Sequence, residues 1–374
     1  MKVVAVIFGG KSVEHDISII TAMQVLSKLP KDYIAFPIYI TQEERFVTAD
    51  NIDKAEIFLD FNKKVKNLRD VSFDFKRKCF IVMKNNKVKE NVKVDCALLC
   101  NHGYGGEDGS LQGFLQLAQI PYSSSSISSS ALTMDKTLTK IMLKDAHIKS
   151  LPYVQFSKCQ YQANKLKFQN NIKKKIKFPC IIKPANLGSS VGISICECEA
   201  KLDSDIEETF QYDDRILVEK FLSNAKEFSC AVVKVNQKAL ASKVCEVKKS
   251  KIYTFEDKYL KEKDDKKTEI DKALYDKLQS LAIKSYTALR CDGVVRVDFL
   301  FDNKTKTLFV NELNSIPGSL SFNMFNGTFE DLLKILIEES IEKTEKSKNI
   351  VYKFNSKAIE NYIKLTTNSK SFKK

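Results

Sequence analysis

The sequence predicts an α/β protein with additional α+β elements, organised as three domains that begin with an open parallel sheet. First, a chain of 374 residues is too long for one small core. Second, the first third alternates strand-like runs with a segment of helical spacing, which is the pattern of a parallel sheet. Third, the later part contains alternating strands joined by polar turns, which is the pattern of antiparallel hairpins.

The first domain is predicted to span residues 1–124. Residues 3–8, 33–40 and 95–100 are apolar runs of strand length, and residues 13–29 have the spacing of an amphipathic helix. The lysine-rich stretch 51–94 alternates only weakly. It is interpreted as a small inserted β element with a charged rim.

A helix is predicted to begin near residue 108 and to end before Pro121. The serine run 123–130 leads directly into a second helix, residues 131–145, so it is interpreted as a joint between domains. A central domain is accordingly predicted over residues 125–222.

The third domain is predicted to span residues 223–345, followed by a basic tail over residues 346–374. Within it we expect two strands, a polar loop, a helix and a hairpin, at residues 228–235, 239–247, 249–265, 270–290 and 293–314. The tail contains one modest amphipathic stretch, and its role is not indicated by the sequence.

Composition argues for an ordinary globular protein, with 43% hydrophobic and 29% charged residues. No apolar run is long enough for a membrane-spanning helix, and the N-terminus does not resemble a signal peptide. A cytoplasmic protein without a membrane partner is the expectation. The ten scattered cysteines are expected to be buried free thiols, and no zinc site is expected.

The net charge of +14 makes nucleic-acid binding or scaffolding an alternative function. The excess is nearly all lysine, spread along the chain, whereas a dedicated nucleic-acid binder would cluster arginine and aromatic residues on one surface. A solvated lysine-rich surface is the preferred interpretation, so no nucleic-acid partner is expected.

The hairpin at residues 293–314 carries the strongest chemical signal. Residues two apart in a strand share a face, so Arg296 lies beside Asp298 and Glu312 lies beside Asn314. Three hard oxygen donors next to a guanidinium suit a divalent cation bound together with a phosphate group. The alternative is a hairpin with a solvated charged face.

A second anion site is predicted in the glycine- and serine-rich loop that follows Lys183. Exposed backbone amides in such a loop can surround a phosphate, and the lysine supplies a point charge. The loop is not a Walker loop, because its lysine precedes the glycines. A plain glycine turn is the alternative.

Taken together, the motifs resemble the ATP-grasp superfamily and, within it, the D-alanine–D-alanine ligases. The resemblance runs through residues 8–18 (FGGKSVEHDIS), 102–113 (HGYGGEDGSLQG), 121–136 and 311–318 (NELNSIPG), with the Lys183 loop between them. It covers nearly the whole chain, in order. It implies a three-domain ATP-grasp fold and the ATP-dependent joining of two D-alanines, through an acyl phosphate, for peptidoglycan precursors.

The resemblance implies that ATP lies between the second and third domains. The residues expected to contact it are Lys136, Lys183 and Lys258 at the phosphates, Glu219, Phe221 and Leu222 at the adenine, and Glu227 at the ribose. Asp298, Glu312 and Asn314 are expected to hold two Mg²⁺ ions, with Mn²⁺ as a possible substitute.

The resemblance also assigns the amino-acid substrates. Glu14 is expected to bind the first D-alanine's ammonium, with His102 lining the same pocket. Ser189 is expected to connect Glu14 to Tyr259, and Arg296 and the Gly318 N–H to stabilise the oxyanion. At the position where the family has a serine for the second substrate, this chain has Asn323.

Two alternatives remain within the same fold, in which D-lactate or D-serine replaces the second D-alanine. Tyr259 resembles the tyrosine of the dipeptide-forming members and favours D-alanine over D-lactate. The family also implies a homodimer formed through the first domain.

Overall fold

The computed structural model describes residues 1–247, 270–351 and 354–368, which form three β-sheets with helices packed against them. The predicted site residues Lys258 and Tyr259 lie outside the described residues, as does the whole of the predicted polar loop 249–265.

The first sheet has seven strands in the order β6-β5-β4-β3-β2-β1-β7. These strands are β1 (Lys2–Gly9), β2 (Tyr33–Ile40), β3 (Phe46–Thr48), β4 (Arg69–Asp74), β5 (Cys79–Lys84), β6 (Lys87–Val92) and β7 (Cys96–Leu99). Between them lie helix α1 (His15–Lys28), a 3₁₀ turn (Ala55–Leu59) and helix α2 (Phe61–Lys64). Helix α3 (Ser110–Ala118) follows β7.

This sheet is only partly parallel, which corrects the predicted open parallel sheet. β1 pairs in parallel with β2 and β7, whereas β3 to β6 pair antiparallel. The region 51–94 is therefore a continuation of the first sheet and not a separate inserted element. The physical reason is that β3 turns back along the end of β2, and each following hairpin adds a strand to that edge.

The second sheet has the order β10-β9-β11-β8 and is antiparallel throughout. Two short helices precede it, α4 (Ile127–Met134) and α5 (Lys136–Asp145), where the sequence predicted one helix over 131–145. Asp135 separates them, because its side chain accepts hydrogen bonds from the N–H groups of Thr137 and Leu138 and so caps α5. The sheet and its helices are β8 (Tyr153–Ser157), α6 (Lys158–Ala163), α7 (Lys165–Lys175), β9 (Cys180–Pro184), β10 (Ser194–Cys196), α8 (Glu199–Thr209) and β11 (Arg215–Lys220).

The third sheet is antiparallel in the order β13-β12-β14-β15. Its elements are β12 (Ala225–Val235), β13 (Lys238–Val247), α9 (Lys272–Ala288), β14 (Val294–Asp302) and β15 (Thr307–Asn314). A 3₁₀ segment (Gly318–Met324), helix α10 (Phe329–Ser347) and helix α11 (Ala358–Asn368) follow. The predicted hairpin is thus β14 and β15.

The hydrophobic cores do not follow the predicted domain boundaries. Leu143 of α5 packs into the core of the third sheet, and Leu333 of α10 packs into the core of the first sheet. Segments assigned to the central and third domains therefore complete the cores of their neighbours. Apolar periodicity shows that a helix has a buried face, but not which sheet covers that face.

The cysteine prediction is correct in part. All ten thiols are free, and seven are buried, whereas Cys159, Cys198 and Cys245 are exposed. Across the described parts of the chain, no helix is long and apolar enough to cross a membrane.

Candidate active site

The hairpin of β14 and β15 brings together the four polar residues that the sequence singled out. In the strand register, Arg296 lies opposite Asn314 and Asp298 lies opposite Glu312. A register shift between Asp298 and Phe299 ends this regular pairing. The two carboxylates are therefore direct cross-strand neighbours, a spacing that two ligands of one cation can share.

The carboxylate of Asp298 is held by three surrounding side chains. Arg296 donates to it twice, from Nε to Oδ1 and from a terminal nitrogen to Oδ2, both at 2.8 Å. Asn314 Nδ2 donates to Oδ2 at 2.9 Å, and Ser229 Oγ donates to Oδ1 at 2.6 Å. Asp298 is thereby fixed before any ligand arrives, which favours a binding or catalytic role over a solvated surface charge.

These residues fit a divalent cation that binds together with a phosphate. Among the described residues, no group of three or more His, Cys, Asp or Glu side chains forms a metal cluster. Asp298, Glu312 and the Asn314 amide supply only two carboxylates and one neutral oxygen. Such an incomplete set suits Mg²⁺, which is commonly bound by one or two carboxylates plus substrate phosphates and water.

A buried group of three charges lies at the second sheet. The Glu219 carboxylate on β11 is fully buried, and its Oε2 is 2.6 Å from Lys183 Nζ on β9. Its other oxygen, Oε1, is paired with Lys140 Nζ on α5. The two ammonium groups lower the pKa of Glu219 despite its burial, so it is a carboxylate at neutral pH.

The two lysines of this group differ in their surroundings. Burial opposes the charge of Lys183, but the Glu219 carboxylate outweighs it and raises the pKa of Lys183. Burial lowers the pKa of Lys140, with Glu219 opposing the shift and Lys183 adding to it. Lys183 also donates to Asn311 Oδ1 on β15 at 3.3 Å, so this cluster connects the second sheet to the third.

Lys136 occupies the first position of α5, one turn before Lys140. Its Nζ donates to the carbonyl of Leu187 at 2.6 Å and lies 3.8 Å from Glu312 Oε2. It therefore stands between the glycine-rich loop and the hairpin. A lysine at this place can contact a phosphate bound to the same metal ligands.

The glycine-rich loop also reaches the first sheet. Ser189 Oγ donates a short hydrogen bond to Glu14 Oε1, just before α1. A Cβ added to Gly188 would lie 2.6 Å from Glu14 Oε2, so only glycine allows the backbone this close to the carboxylate. The sequence predicted the contact between Glu14 and Ser189, and the structure brings the two together.

Glu107 is a site residue that the sequence analysis missed. Its Oε2 accepts from the Gly103 N–H and its Oε1 from the Ile316 N–H, both at 2.9 Å. It thus ties the loop after β7 to the loop after β15. Burial, with a contribution from the nearby Glu14 carboxylate, raises the pKa of Glu107 to about 7, although the two N–H donors oppose the shift.

Thr21 on α1 contacts both the loop after β7 and the segment after Gly318. Its Oγ1 lies 2.9 Å from His102 Nε2 and accepts from the Ser319 N–H at 3.1 Å. His102 is buried, and burial lowers the pKa of its ring, so the neutral imidazole is favoured. His102 therefore lies against α1, the helix that follows Glu14, and is held by a neighbour that the sequence did not indicate. Its role in lining the substrate pocket stays a prediction.

The segment after Gly318 has an unusual backbone. Ser319, Leu320 and Ser321 all have φ near +50°, the left-handed region that non-glycine residues rarely occupy in succession. The Leu320 N–H donates to the Pro317 carbonyl at 2.8 Å, which closes the turn. Asn323 follows on this segment and is exposed.

The predicted adenine and ribose residues lie at the end of β11 and the start of β12. Phe221 and Leu222 are half-buried, and the Phe221 N–H donates to the Pro179 carbonyl at 3.3 Å. Glu227 is half-buried on β12. The Glu219 side chain faces the two lysines, so both of its oxygens are already engaged.

One small cavity, of about 30 Å³, lies where the loops after β1, β7 and β9 and the start of α5 meet β15. Its lining includes Glu14, Glu107, Lys136, Gly188, Glu312 and Asn314. The Glu14 carboxylate, which suits an ammonium group, thus lines the same cavity as Lys136, Glu312 and Asn314, which suit a metal-bound phosphate.

Comparison with known proteins points to one family. Two family models match the chain, the D-ala D-ala ligase N-terminus over residues 3–125 and the D-ala D-ala ligase C-terminus over residues 142–338. The chain is 35% identical to a D-alanine--D-alanine ligase of Thermosipho africanus, over 93% of this chain and 96% of that protein. It is 32% identical to one of Staphylococcus epidermidis, over 94% and 98%.

Two solved ligase structures are similar to this chain over at least 90% of its length. The D-alanine-D-alanine ligase from Coxiella burnetii superposes with a TM-score of 0.77 at 25% identity, covering 97% of this chain and 99% of that one. The VanG D-Ala:D-Ser ligase from Enterococcus faecalis superposes with a TM-score of 0.76 at 29% identity, covering 90% and 98%.

Proposed function

The chain belongs to the D-alanine–D-alanine ligase family, and from this premise we propose that the cavity between its three sheets is the place where two D-alanines are joined. The protein has the ATP-grasp fold and is an ATP-dependent ligase that forms D-alanyl-D-alanine for peptidoglycan synthesis. Its substrates are ATP and D-alanine, and a divalent metal is usual for the family.

One observation carries the assignment of residues. Glu14, Lys136, Glu312 and Asn314 line the same cavity, which places a group for an amino-acid ammonium within one space with groups for a metal-bound phosphate. A reaction between an amino acid's carboxylate and the γ-phosphate of ATP needs this pairing, because the two reactants must be held in line.

The phosphate end of the site would consist of lysines and metal ligands. Lys136 and Lys183 would neutralise the triphosphate, and Asp298, Glu312 and Asn314 would hold two Mg²⁺ ions, or Mn²⁺ in their place. The metals supply charge neutralisation at the transferred phosphoryl group. The side chains of this end are already fixed by the hydrogen bonds around Asp298.

At the substrate end, Glu14 would bind the ammonium of the first D-alanine while Ser189 holds Glu14 in place. The carboxylate of this D-alanine attacks the γ-phosphorus, which gives an acyl phosphate and ADP. The amine of the second D-alanine then attacks the acyl carbon, and phosphate leaves. Arg296 and the Gly318 N–H would stabilise the negative oxygen of that tetrahedral intermediate, a contribution worth roughly 10²–10³ in rate per donor.

Three parts of the sequence prediction extend this proposal. Lys258 and Tyr259, outside the described residues, would complete the site at the phosphate and the second substrate. We place the reaction in the cytoplasm, which supplies the ATP, and we propose a homodimer formed through the first domain. Size-exclusion chromatography with light scattering tests the dimer.

The experiment that tests the function is phosphate release from ATP and Mg²⁺ with a set of amino-acid substrates. D-Alanine alone should support release, with D-alanyl-D-alanine confirmed by mass, and L-alanine should not. D-Alanine with D-serine or D-lactate tests the acceptor, since the similar VanG structure is named a D-Ala:D-Ser ligase. Preferential formation of a D-alanyl-D-serine product near neutral pH would overturn the choice of D-alanine as acceptor.

A further inference from the structure

Lys140 is a buried lysine that has no role in the reaction proposed above. Its side chain is 2% exposed, and its Nζ is paired with Glu219 Oε1. The same Nζ lies 5.6 Å from the ring centre of Tyr153, over the ring face. A lysine is rarely buried to this degree unless its charge is compensated, so its retention here calls for a reason.

The reason lies in the charges around it. Glu219 has two oxygens, and each is paired with a different lysine, Lys140 on one and Lys183 on the other. With both lysines protonated, the three groups together carry one net positive charge. If Lys140 were absent, Glu219 and Lys183 would form a closed neutral pair.

Lys183 is the lysine of this group that can face a ligand. It borders the glycine-rich loop and also donates to Asn311 on the third sheet, whereas Lys140 reaches the other oxygen of Glu219 from α5. A nucleotide phosphate entering between the two sheets would compete with Glu219 for Lys183. Whether the phosphate displaces Glu219 depends on how strongly Glu219 holds the Lys183 ammonium.

We propose that Lys140 is a positioning residue that neutralises Glu219 from behind and so leaves the charge of Lys183 available to the phosphates of ATP. It holds the Glu219 carboxylate in place and contacts no substrate itself. The inference rests on the proposed function, in that Lys183 is taken as a phosphate-binding lysine.

The geometry also explains why a lysine and not a neutral donor stands at position 140. A hydrogen-bond donor without charge would satisfy Glu219 Oε1 but would leave its negative charge to be balanced by Lys183 alone. In a site removed from water, that balance decides where the Lys183 ammonium resides, because charge interactions are strongest there.

The test compares nucleotide binding by three variants with that of the wild type. Lys140→Met removes the charge at similar size, Lys140→Arg keeps it, and Lys144→Met is the matched control at an exposed lysine on the same helix. Binding of AMP and of ATP with Mg²⁺ is measured by isothermal titration calorimetry without D-alanine, and KM values for ATP and D-alanine follow from phosphate release.

For Lys140→Met we expect the ATP affinity to fall roughly tenfold or more, since the loss of a charge-assisted contact has about that effect. The AMP affinity should fall much less, because AMP presents one phosphate to Lys183 and ATP presents three. The KM for D-alanine should change less than that for ATP. Lys140→Arg should recover most of the ATP affinity, and Lys144→Met should match the wild type.

A merely structural role for Lys140 would weaken AMP and ATP binding equally, and that result overturns the inference. An unchanged ATP affinity in folded Lys140→Met overturns it as well. If Lys140→Met does not fold, the double variant Lys140→Met/Glu219→Gln removes the buried carboxylate along with its cation. The double variant should keep the wild-type preference for ATP over AMP, and loss of that preference also overturns the inference.

The same measurements separate this inference from the proposed function. A wild-type protein that binds ATP but makes no dipeptide contradicts the ligase assignment, while the comparison of ATP with AMP across the variants still decides the role of Lys140.

Discussion

Glu107 predicts a stability that depends on pH in a defined direction. It is buried in the native protein beside Glu14, and its pKa rises from an ordinary value of 4.5 to about 7. In the unfolded chain the same carboxyl is solvated and has its ordinary pKa. The substitution that isolates its effect is Glu107→Gln, which replaces the titrating group by a neutral one of the same shape.

The sign follows from which state holds the proton more tightly. Because the native pKa is the higher one, the native state keeps the proton between about pH 4.5 and pH 7 while the unfolded state has lost it. This stabilising contribution is fully present below about pH 4.5 and is lost as the pH rises through about 7. A difference of roughly 2.5 pH units, at about 1.4 kcal/mol each, amounts to about 3 kcal/mol.

The assay is urea unfolding of the ligand-free protein at pH 5 and pH 8, followed by circular dichroism since the chain has no tryptophan. Relative to Glu107→Gln, the wild type should lose about 2 to 3 kcal/mol of unfolding free energy between the two pH values, less than the full difference because pH 5 already lies above the unfolded pKa. Titrating groups that do not interact with Glu107 cancel in this comparison. Glu330→Gln, at an exposed glutamate, is the control and should follow the wild type. If wild type and Glu107→Gln differ by the same amount at both pH values, the argument that burial raises this pKa is refuted.

Three further predictions follow from the site and its supports. Asp298→Ala should lower phosphate release by at least about 10²-fold while the circular dichroism spectrum stays native, because it removes a metal ligand candidate; retained activity refutes the metal assignment. Asn323→Ala should raise the KM for the second D-alanine with little change for ATP, and an unchanged acceptor KM shows that position 323 does not contact it. Gly293→Ala should lower the melting temperature strongly, since φ is +65° and the new Cβ would lie 2.1 Å from the Ser123 carbonyl oxygen; a melting temperature like that of the wild type contradicts the close approach.

Local pattern predicted the elements of this fold better than their assembly. The strands β1 and β2 and the hairpin of β14 and β15 lie where the apolar alternation placed them. The alternation could not show that β3 to β6 extend the first sheet, because an antiparallel edge strand and a separate small sheet have the same period. Nor could it show that α10 returns to the first sheet, since that contact joins parts of the chain more than two hundred residues apart.

The site residues were likewise predicted in part. Arg296, Asp298 and Asn314 could be grouped from the sequence because strand geometry places neighbours two apart on one face, and the structure shows them in contact. Lys140 and Glu107 were missed because each looks like an ordinary surface charge in the sequence. The spacing of Lys140, one helical turn after Lys136, was a usable signal, since residues four apart share a helix face.

The buried Glu219 also bears on the predicted adenine site. The resemblance placed this residue at the adenine, whereas the structure has its carboxylate fully buried with a lysine on each oxygen. The carboxylate is therefore engaged by the two lysines, and the predicted adenine residues that keep accessible surface are the half-buried Phe221 and Leu222. Because Lys183 also donates to Asn311 on β15, the same buried cluster joins the second sheet to the third beside the proposed nucleotide site.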